Sequence, residues 1–213
     1  MMPQLKIKKE SEFVQTEAEA IPVGWSIKRL KDVVDYKKGT KPSILYDSPC
    51  GNCLPYLTAE YLRGEEILKY APITDRVVIA DEKDIILIWD GSNAGDVFTG
   101  FKGIVASTMV RITVKSRDVE PKFLYYQLLI RSRTLKNATK GTGIPHISRD
   151  LFDNLLISVP PLDEQRRIVE VLSVFDQAIM VVNEILERLQ RVRVAMLNTL
   201  MTRGIGHREF RQT

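Results

Sequence analysis

The sequence predicts an α+β fold: a mixed-sheet domain followed by one long coiled-coil-forming α-helix. Three observations carry this. Up to Pro160-Pro161 the chain consists of short apolar, β-branched runs broken by Gly, Pro and Asp. These runs do not alternate regularly with helical segments, which argues against a βαβ sheet. Beyond the two prolines a single helical period runs without Pro or Gly until Gly204.

In chain order, residues 1–20 form a lead segment whose Lys6, Lys8 and Lys9 are not followed by an apolar stretch, so a secretion signal is not expected. Val77-Val78-Ile79 is a strand candidate. Ile85-Ile86-Leu87-Ile88-Trp89 is continuously apolar and stops at the turn signal Asp90-Gly91, and reads as a buried strand. Val110 to Val114 alternates apolar and polar, and Leu155 to Val159 is a further strand candidate. A helix fits Pro121–Arg131, with Pro121 suited to the first helical position and Phe123, Leu124, Gln127 and Leu128 on one face. The second part begins where Pro160-Pro161 forbids helix and Asp163-Glu164 places negative charge at a helix start. Ile168, Leu172, Phe175, Ile179, Val182, Leu186, Leu189, Arg193, Met196 and Leu200 follow at steps of four and three, a heptad stripe interrupted only by Arg193. From Asp163 to Thr202 is 40 residues, about 60 Å of helix. Such a stripe needs a partner helix. The expected boundaries are therefore 1–20, 21–160, 161–203 and a terminal segment 204–213.

Composition excludes several classes. The 213 residues are 44% hydrophobic and 27% charged, within the range of folded globular chains and far from disordered or collagen-like ones. No window approaches a membrane span, so no membrane partner is expected and a cytoplasmic protein is the default. The net charge of +4 is mild, but it is locally concentrated. Residues 131–149 hold Arg131, Arg133, Lys136, Lys140 and Arg149 without an acid, and residues 99–117 hold Lys102, Arg111, Lys115 and Arg117 without one. Residues 28–41 set six bases against Asp32 and Asp35.

The two cysteines, Cys50 and Cys53, form one C-x-x-C among Pro49, Gly51, Asn52 and Pro55, a loop rather than the strand–helix setting of a redox pair. A zinc site lacks ligands, since the remaining soft candidates are His146 and His207. The expectation is a loop turn with incidental thiols and no metal. Catalytic signatures are equally poor. Asp90 to Asp96 is Gly-rich after a strand but no helix pattern follows, which weakens a phosphate-loop reading. Asp81-Glu82-Lys83-Asp84 has the letters of a nuclease site in the pattern of a charged turn, and His146 has no neighbouring nucleophile. No enzyme activity and no cofactor are expected. One pattern links the ends: Glu12-Phe13-Val14-Gln15-Thr16 and Glu209-Phe210-Arg211-Gln212-Thr213 share E-F-x-Q-T, 197 residues apart, as if a second copy of the unit began there.

Three stretches together resemble one known family. Ile21-Pro22-Val23-Gly24-Trp25 with Leu30 resembles a P-x-G-W approach to a recognition domain. Pro160-Pro161-Leu162-Asp163-Glu164-Gln165-Arg166-Arg167-Ile168 resembles P-P-L-x-E-Q-x-x-I at the start of a long helix, and Leu200 to His207 resembles the exit that precedes a second repeat. The chain is similar, over essentially its whole length, to one half of the DNA-specificity subunit of type I restriction–modification enzymes. That resemblance implies a target-recognition domain reading one half of a bipartite double-stranded DNA target. It further implies docking to a methyltransferase subunit, with the restriction/translocase subunit joining through the complex. With one repeat in the chain, a homodimer through Leu172, Phe175, Ile179, Val182, Leu186, Leu189 and Met196 is expected. A coiled-coil scaffold without DNA readout is the competing class.

Under the resemblance, DNA contacts fall on loops carrying Lys and small polar residues. Candidates are Lys37, Lys38, Thr40 and Lys41, then Ser92 and Asn93 with Lys102, and above all Lys136, Lys140, Thr142 and His146 in a loop rich in Gly and Thr. Trp25 is read as a packing anchor.

Overall fold

A computed structural model of the chain describes residues 13–15, 20–65, 68–137, 139–140 and 145–206. The chain divides into two compact units, one reaching Arg166 and the other beginning at Arg167.

The first unit runs β1 (Phe13–Gln15), β2 (Ala20–Pro22), β3 (Ser26–Arg29), α1 (Leu30–Val33), β4 (Val34–Lys38), β5 (Cys53–Leu57), α2 (Ala59–Leu62), β6 (Lys69–Pro72), β7 (Ile79–Ala80), β8 (Ile85–Ile88), β9 (Val97–Thr99), β10 (Gly103–Val105), β11 (Met109–Val114), α3 (Pro121–Asn137), β12 (Thr139–Lys140), β13 (His146–Ile147), α4 (Arg149–Asn154) and β14 (Leu156–Val159). The last helix, α5, spans Leu162–Arg203 without a break and continues into the second unit.

Two four-stranded sheets dominate. One has the order β4-β11-β8-β9 with antiparallel neighbours. The other has the order β6-β5-β10-β7 and contains the parallel pair β5–β10. The first sheet lies between two hydrophobic cores. Ile85 and Leu87 of β8 join Val110 and Ile112 of β11, Leu124 and Leu128 of α3 and Phe152 of α4. Ile86 and Ile88 face the opposite way, toward Leu57, Ala71, Ile104 and Met109. Period-two alternation explains how one strand serves both cores, and why its sequence is continuously apolar.

Several sequence expectations shift in detail. Helix α3 runs to Asn137 rather than Arg131, because Leu135 continues the buried face and is itself fully enclosed. The strand expected at Val77-Val78-Ile79 is reduced to Ile79–Ala80, pairing with β10. Asp81 to Asp84 is the charged turn it resembles, with the Asp84 N–H donating to the Asp81 carbonyl at 2.9 Å. Cys50 and Cys53 are bonded to each other as a disulfide, their Cα atoms 5.1 Å apart, which replaces the expectation of incidental thiols. Phe13 to Gln15 pairs with Ala20 to Pro22, while Glu12, Thr16 and the second E-F-x-Q-T lie outside the described residues. No helix among the described residues is long and apolar enough to cross a membrane.

The two motifs that flank the domain meet in the fold. Trp25 Nε1 donates to Glu164 at 3.2 Å. Gln165 is completely buried. Its Nε2 donates to the carbonyls of Asp118 (2.7 Å) and Pro160 (2.8 Å), and its Oε1 accepts from the Glu120 N–H at 2.8 Å. A buried amide with all of these partners is satisfied. The glutamine thus clamps the first turn of α5 to the segment that leads from β11 into α3.

Candidate nucleic-acid interface

The segments singled out from sequence are far apart in the chain, yet backbone pairing brings most of them to one end of both sheets. At this end β4 stops, β11 begins and β8 stops: Lys38 lies opposite Val110, and Met109 opposite Ile88. The Gly39 N–H bonds to Met109 O at 2.9 Å and the Thr40 N–H to Val105 O at 3.2 Å, so the chain leaving β4 passes over the end of β10. A Cβ on Gly39 would collide with the carbonyls of Val105 and Ala106, so only glycine permits that approach. The turn joining β10 to β11 crosses from one sheet to the other here, and its Thr108 carbonyl accepts from the N–H groups of Trp89 and Asp90 at 2.8 and 3.0 Å.

The 90–93 turn and the β12–β13 hairpin close the cluster. Gly91 N–H bonds to Pro145 O at 2.9 Å, Ile147 N–H to Trp89 O at 3.0 Å, and Asp90 forms a bridge with His146. Lys38 Nζ is 2.7 Å from Asp90 Oδ2, tying the β4 end to the same turn. Beneath lie Trp89, Tyr36 and Phe152: the Tyr36 and Trp89 rings stack at 5.6 Å and both meet the edge of Phe152. Arg149 sits 5.8 Å over the Tyr36 ring. Burial, with Asp153 as acceptor for its hydroxyl, pushes the Tyr36 phenol above its ordinary range.

The individual candidates fare differently. Lys37 and Lys38 belong to the edge strand β4 rather than a loop. Lys37, Lys41 and Ser92 are exposed, and Thr40 and Asn93 half-buried. Thr40 Oγ1 donates to Arg76 O at 3.1 Å. The expected loop from Lys136 to His146 is instead a helix end followed by a hairpin: Lys136 ends α3, Lys140 stands opposite His146 across β12–β13, and Thr142 lies outside the described residues. Lys136 forms an ion pair with Asp96, which also pairs with Arg63. Burial alone would raise the Asp96 carboxyl, but the hydrogen bonds and charges of Lys136 and Arg63 hold it below its usual range. Lys136 therefore fastens α3 to the 90–96 turn, where Gly95, at φ +102°, leaves room for the helix. Lys102 is not part of the cluster. It follows β9, whose Thr99 pairs with Ile85 at the far end of β8.

The Ser107-Thr108 turn, Arg76 and Arg149 are not among the sequence-derived contact candidates. Ser107, Thr108 and Arg149 fall within the acid-free stretches, but only the fold delivers all of them to this end.

In the second unit the predicted stripe is exposed. Phe175, Ile179, Val182, Leu186, Leu189 and Met196 are all more than half accessible, and Leu172 is half-buried. The apolar face is wider than a two-position seam, because Val171, Ile185 and Val192 flank it one residue before positions 172, 186 and 193 and are exposed as well. Three apolar positions per heptad suit a helical bundle better than a two-stranded coil. Among the described residues no group of three or more His, Cys, Asp or Glu could hold a metal ion.

A profile of the family described as type I restriction modification DNA specificity domain matches residues 22–191, the greater part of both units. The chain belongs to that family. It is 39% identical over 98% of its length to the type I restriction enzyme MjaVIII specificity subunit of Methanocaldococcus jannaschii, covering 49% of that protein. Among solved structures it is similar to the type I restriction–modification S subunit from M. genitalium (TM-score 0.63, 21% identity, 94% of this chain and 48% of that one). It is also similar to the HsdS subunit from Thermoanaerobacter tengcongensis (TM-score 0.58, 21% identity, 92% and 49%). This specificity-domain chain thus spans about half the length of the relatives it matches, and it shares their fold.

Proposed function

We propose that this specificity-domain chain reads one half of a bipartite duplex DNA target through the clustered end of its two sheets. The carrying observation is the convergence of the β4 exit, the 90–93 turn and the β12–β13 hairpin at one end, joined by Lys38–Asp90 and Gly91–Pro145. Two sheets presenting several polar loops at one end suit base-edge contact. Lys37 and Lys41, exposed and without an ion pair among the described residues, suit phosphate contact. The chain has no chemistry of its own in this reading. The exposed helix pairs with an equivalent helix, from a second copy or a second repeat, and the remaining width of its apolar face docks the methyltransferase subunit. The restriction/translocase subunit joins through that complex.

Titration against random-sequence duplex at rising salt tests the reading. Binding through phosphates falls linearly with log salt, with a slope of about −0.9 per neutralised phosphate. The Lys37→Ala, Lys41→Ala double variant should bind every sequence more weakly and flatten that slope by about two. Absence of DNA binding by the chain assembled with its methyltransferase subunit overturns it and leaves the scaffold reading.

A further inference from the structure

The segment between β4 and β5 carries apolar residues where a loop ordinarily carries polar ones. Ile44 is 53% exposed and Leu45 41%, side by side in the chain. The segment is anchored on both sides of this pair. Thr40 is bonded to Val105 O and to Arg76 O. Tyr46 exchanges two backbone hydrogen bonds with Tyr70, at 2.9 and 2.8 Å, alongside the edge strand β6. In the order β6-β5-β10-β7 these anchors are three strand spacings apart, about 14 Å at about 4.8 Å each. Six residues reach at most about 20 Å, so the span takes up about two-thirds of the segment's full reach and limits its freedom. It crosses the end of the second sheet, where β5 and β10 stop, which is the end that also gathers Lys38, Thr108 and Asp90. Pro42 stiffens it further.

Two aliphatic side chains held outward on a restrained segment cost solvation unless something covers them. The surroundings identify the cover. Lys37, Lys41 and Arg76 are exposed and without ion pairs among the described residues, and they border the segment through Thr40. Of the acids near in sequence, Asp35 lies two residues before Lys37 and pairs with Lys115, Asp47 lies beyond the Tyr46 anchor, and Asp75 stands beside Arg76. An apolar pair rimmed by cations matches a surface that is polyanionic at its borders and carries apolar groups between them. The major groove of duplex DNA has this chemistry: phosphates on each side, and the C5-methyl of thymine as the apolar group on its floor.

We propose that Ile44 and Leu45 read thymine, packing on its C5-methyl in the major groove. This rests on the DNA-reading role above and adds a base identity to it. The remaining loops of the cluster supply hydrogen bonds, whereas this segment supplies the contact that hydrogen bonds cannot make.

Selection from a random duplex pool, with the chain assembled with its methyltransferase subunit, gives the target. Affinity is then compared on that target with each thymine replaced in turn by uracil, which lacks only the methyl. At one thymine or more the replacement should weaken the wild-type complex about fourfold, the worth of one buried methyl-sized group. The Ile44→Ser, Leu45→Ser variant should bind the thymine target as weakly as the wild type binds the uracil target, and should be indifferent to the replacement. A target without thymine in this half-site overturns the inference, as does a wild type unaffected by uracil, a comparison that does not depend on the variant folding. A variant that weakens binding but keeps the wild-type sensitivity to uracil also overturns it. If the variant leaves DNA binding intact and loses the methyltransferase subunit instead, the pair belongs to a protein interface and the inference fails. Failure of the wild type to enrich any target rejects the DNA-reading role itself, a separate outcome.

Discussion

The same side chain meets opposite fates in the two units. Phe152 is fully buried among the strands and helices of the first unit, while Phe175 on α5 is 60% exposed. Both follow from local pattern. Phe152 lies on a short helix against a sheet that already has two cores, whereas Phe175 lies on a helix whose apolar face has no second layer within its own unit. The first unit therefore encloses its own cores. The second leaves its apolar face exposed, and such a face contributes burial energy only when something covers it.

The largest expected effect tests that contrast directly. Phe152→Ala should lower the unfolding free energy by about 3–5 kcal/mol in urea denaturation, since it empties a closed core. Phe175→Ala, measured at a concentration where the chain is monomeric, should change it by less than about 0.5 kcal/mol. Equal losses would mean that the helix already buries its stripe. Next comes the clamp that starts the helix. Gln165→Leu leaves two carbonyls and one N–H without their partner and should cost about 2–4 kcal/mol, with faster hydrogen exchange at the Glu120 amide as the local signature. A third test addresses the exposed face. Leu186→Asp puts a charge in the middle of the stripe and should raise the dimer dissociation constant by at least about a hundredfold in light scattering, by burying an unpaired charge, while leaving urea unfolding of the first unit unchanged. A wild type that stays monomeric at micromolar concentration would break the pairing proposal.

The smallest effect concerns the ion pairs beneath the 90–96 turn. The Asp96 carboxyl is held low by Lys136 and Arg63 against the raising effect of burial. Its stabilisation is therefore complete above the ordinary carboxylate value near 3.9 and fades as pH falls through the lowered one. Asp96→Asn should cost about 1–2 kcal/mol at neutral pH, and the gap from wild type should narrow in denaturation curves taken below about pH 4. A constant gap across that range would show that the aspartate acts by shape rather than charge.

Much of this molecule is legible in its sequence. The continuous apolar run at Ile85 to Ile88 reads as a buried strand, and all four residues are buried; that the strand serves a core on each face follows from the fold. The prolines at 160–161 and the glycine at 204 bracket the long helix to within a residue or two. The candidate interface was legible only in part. Lys37, Thr40, Ser92, Asn93 and His146 gather at one end of the sheets, and composition points to them because turns favour small and basic residues. Lys102 was selected by that same composition and lies at the other end of the sheet. Lys136, chosen as a phosphate contact, is engaged by Asp96, a partner forty positions away that no local pattern reveals.

The class of each segment, the start of the long helix and the family are legible along the chain itself. Those depend on period, on Pro and Gly, and on short motifs, all of which act over a few residues. Folding decides which loops share an end, which lysines are left without an ion pair among the described residues, and that Ile44 and Leu45 stand exposed. The reason is that strand pairing joins residues such as Lys38, Asp90, Thr108 and His146 through hydrogen bonds whose register is set across the whole sheet. No window of sequence contains that register.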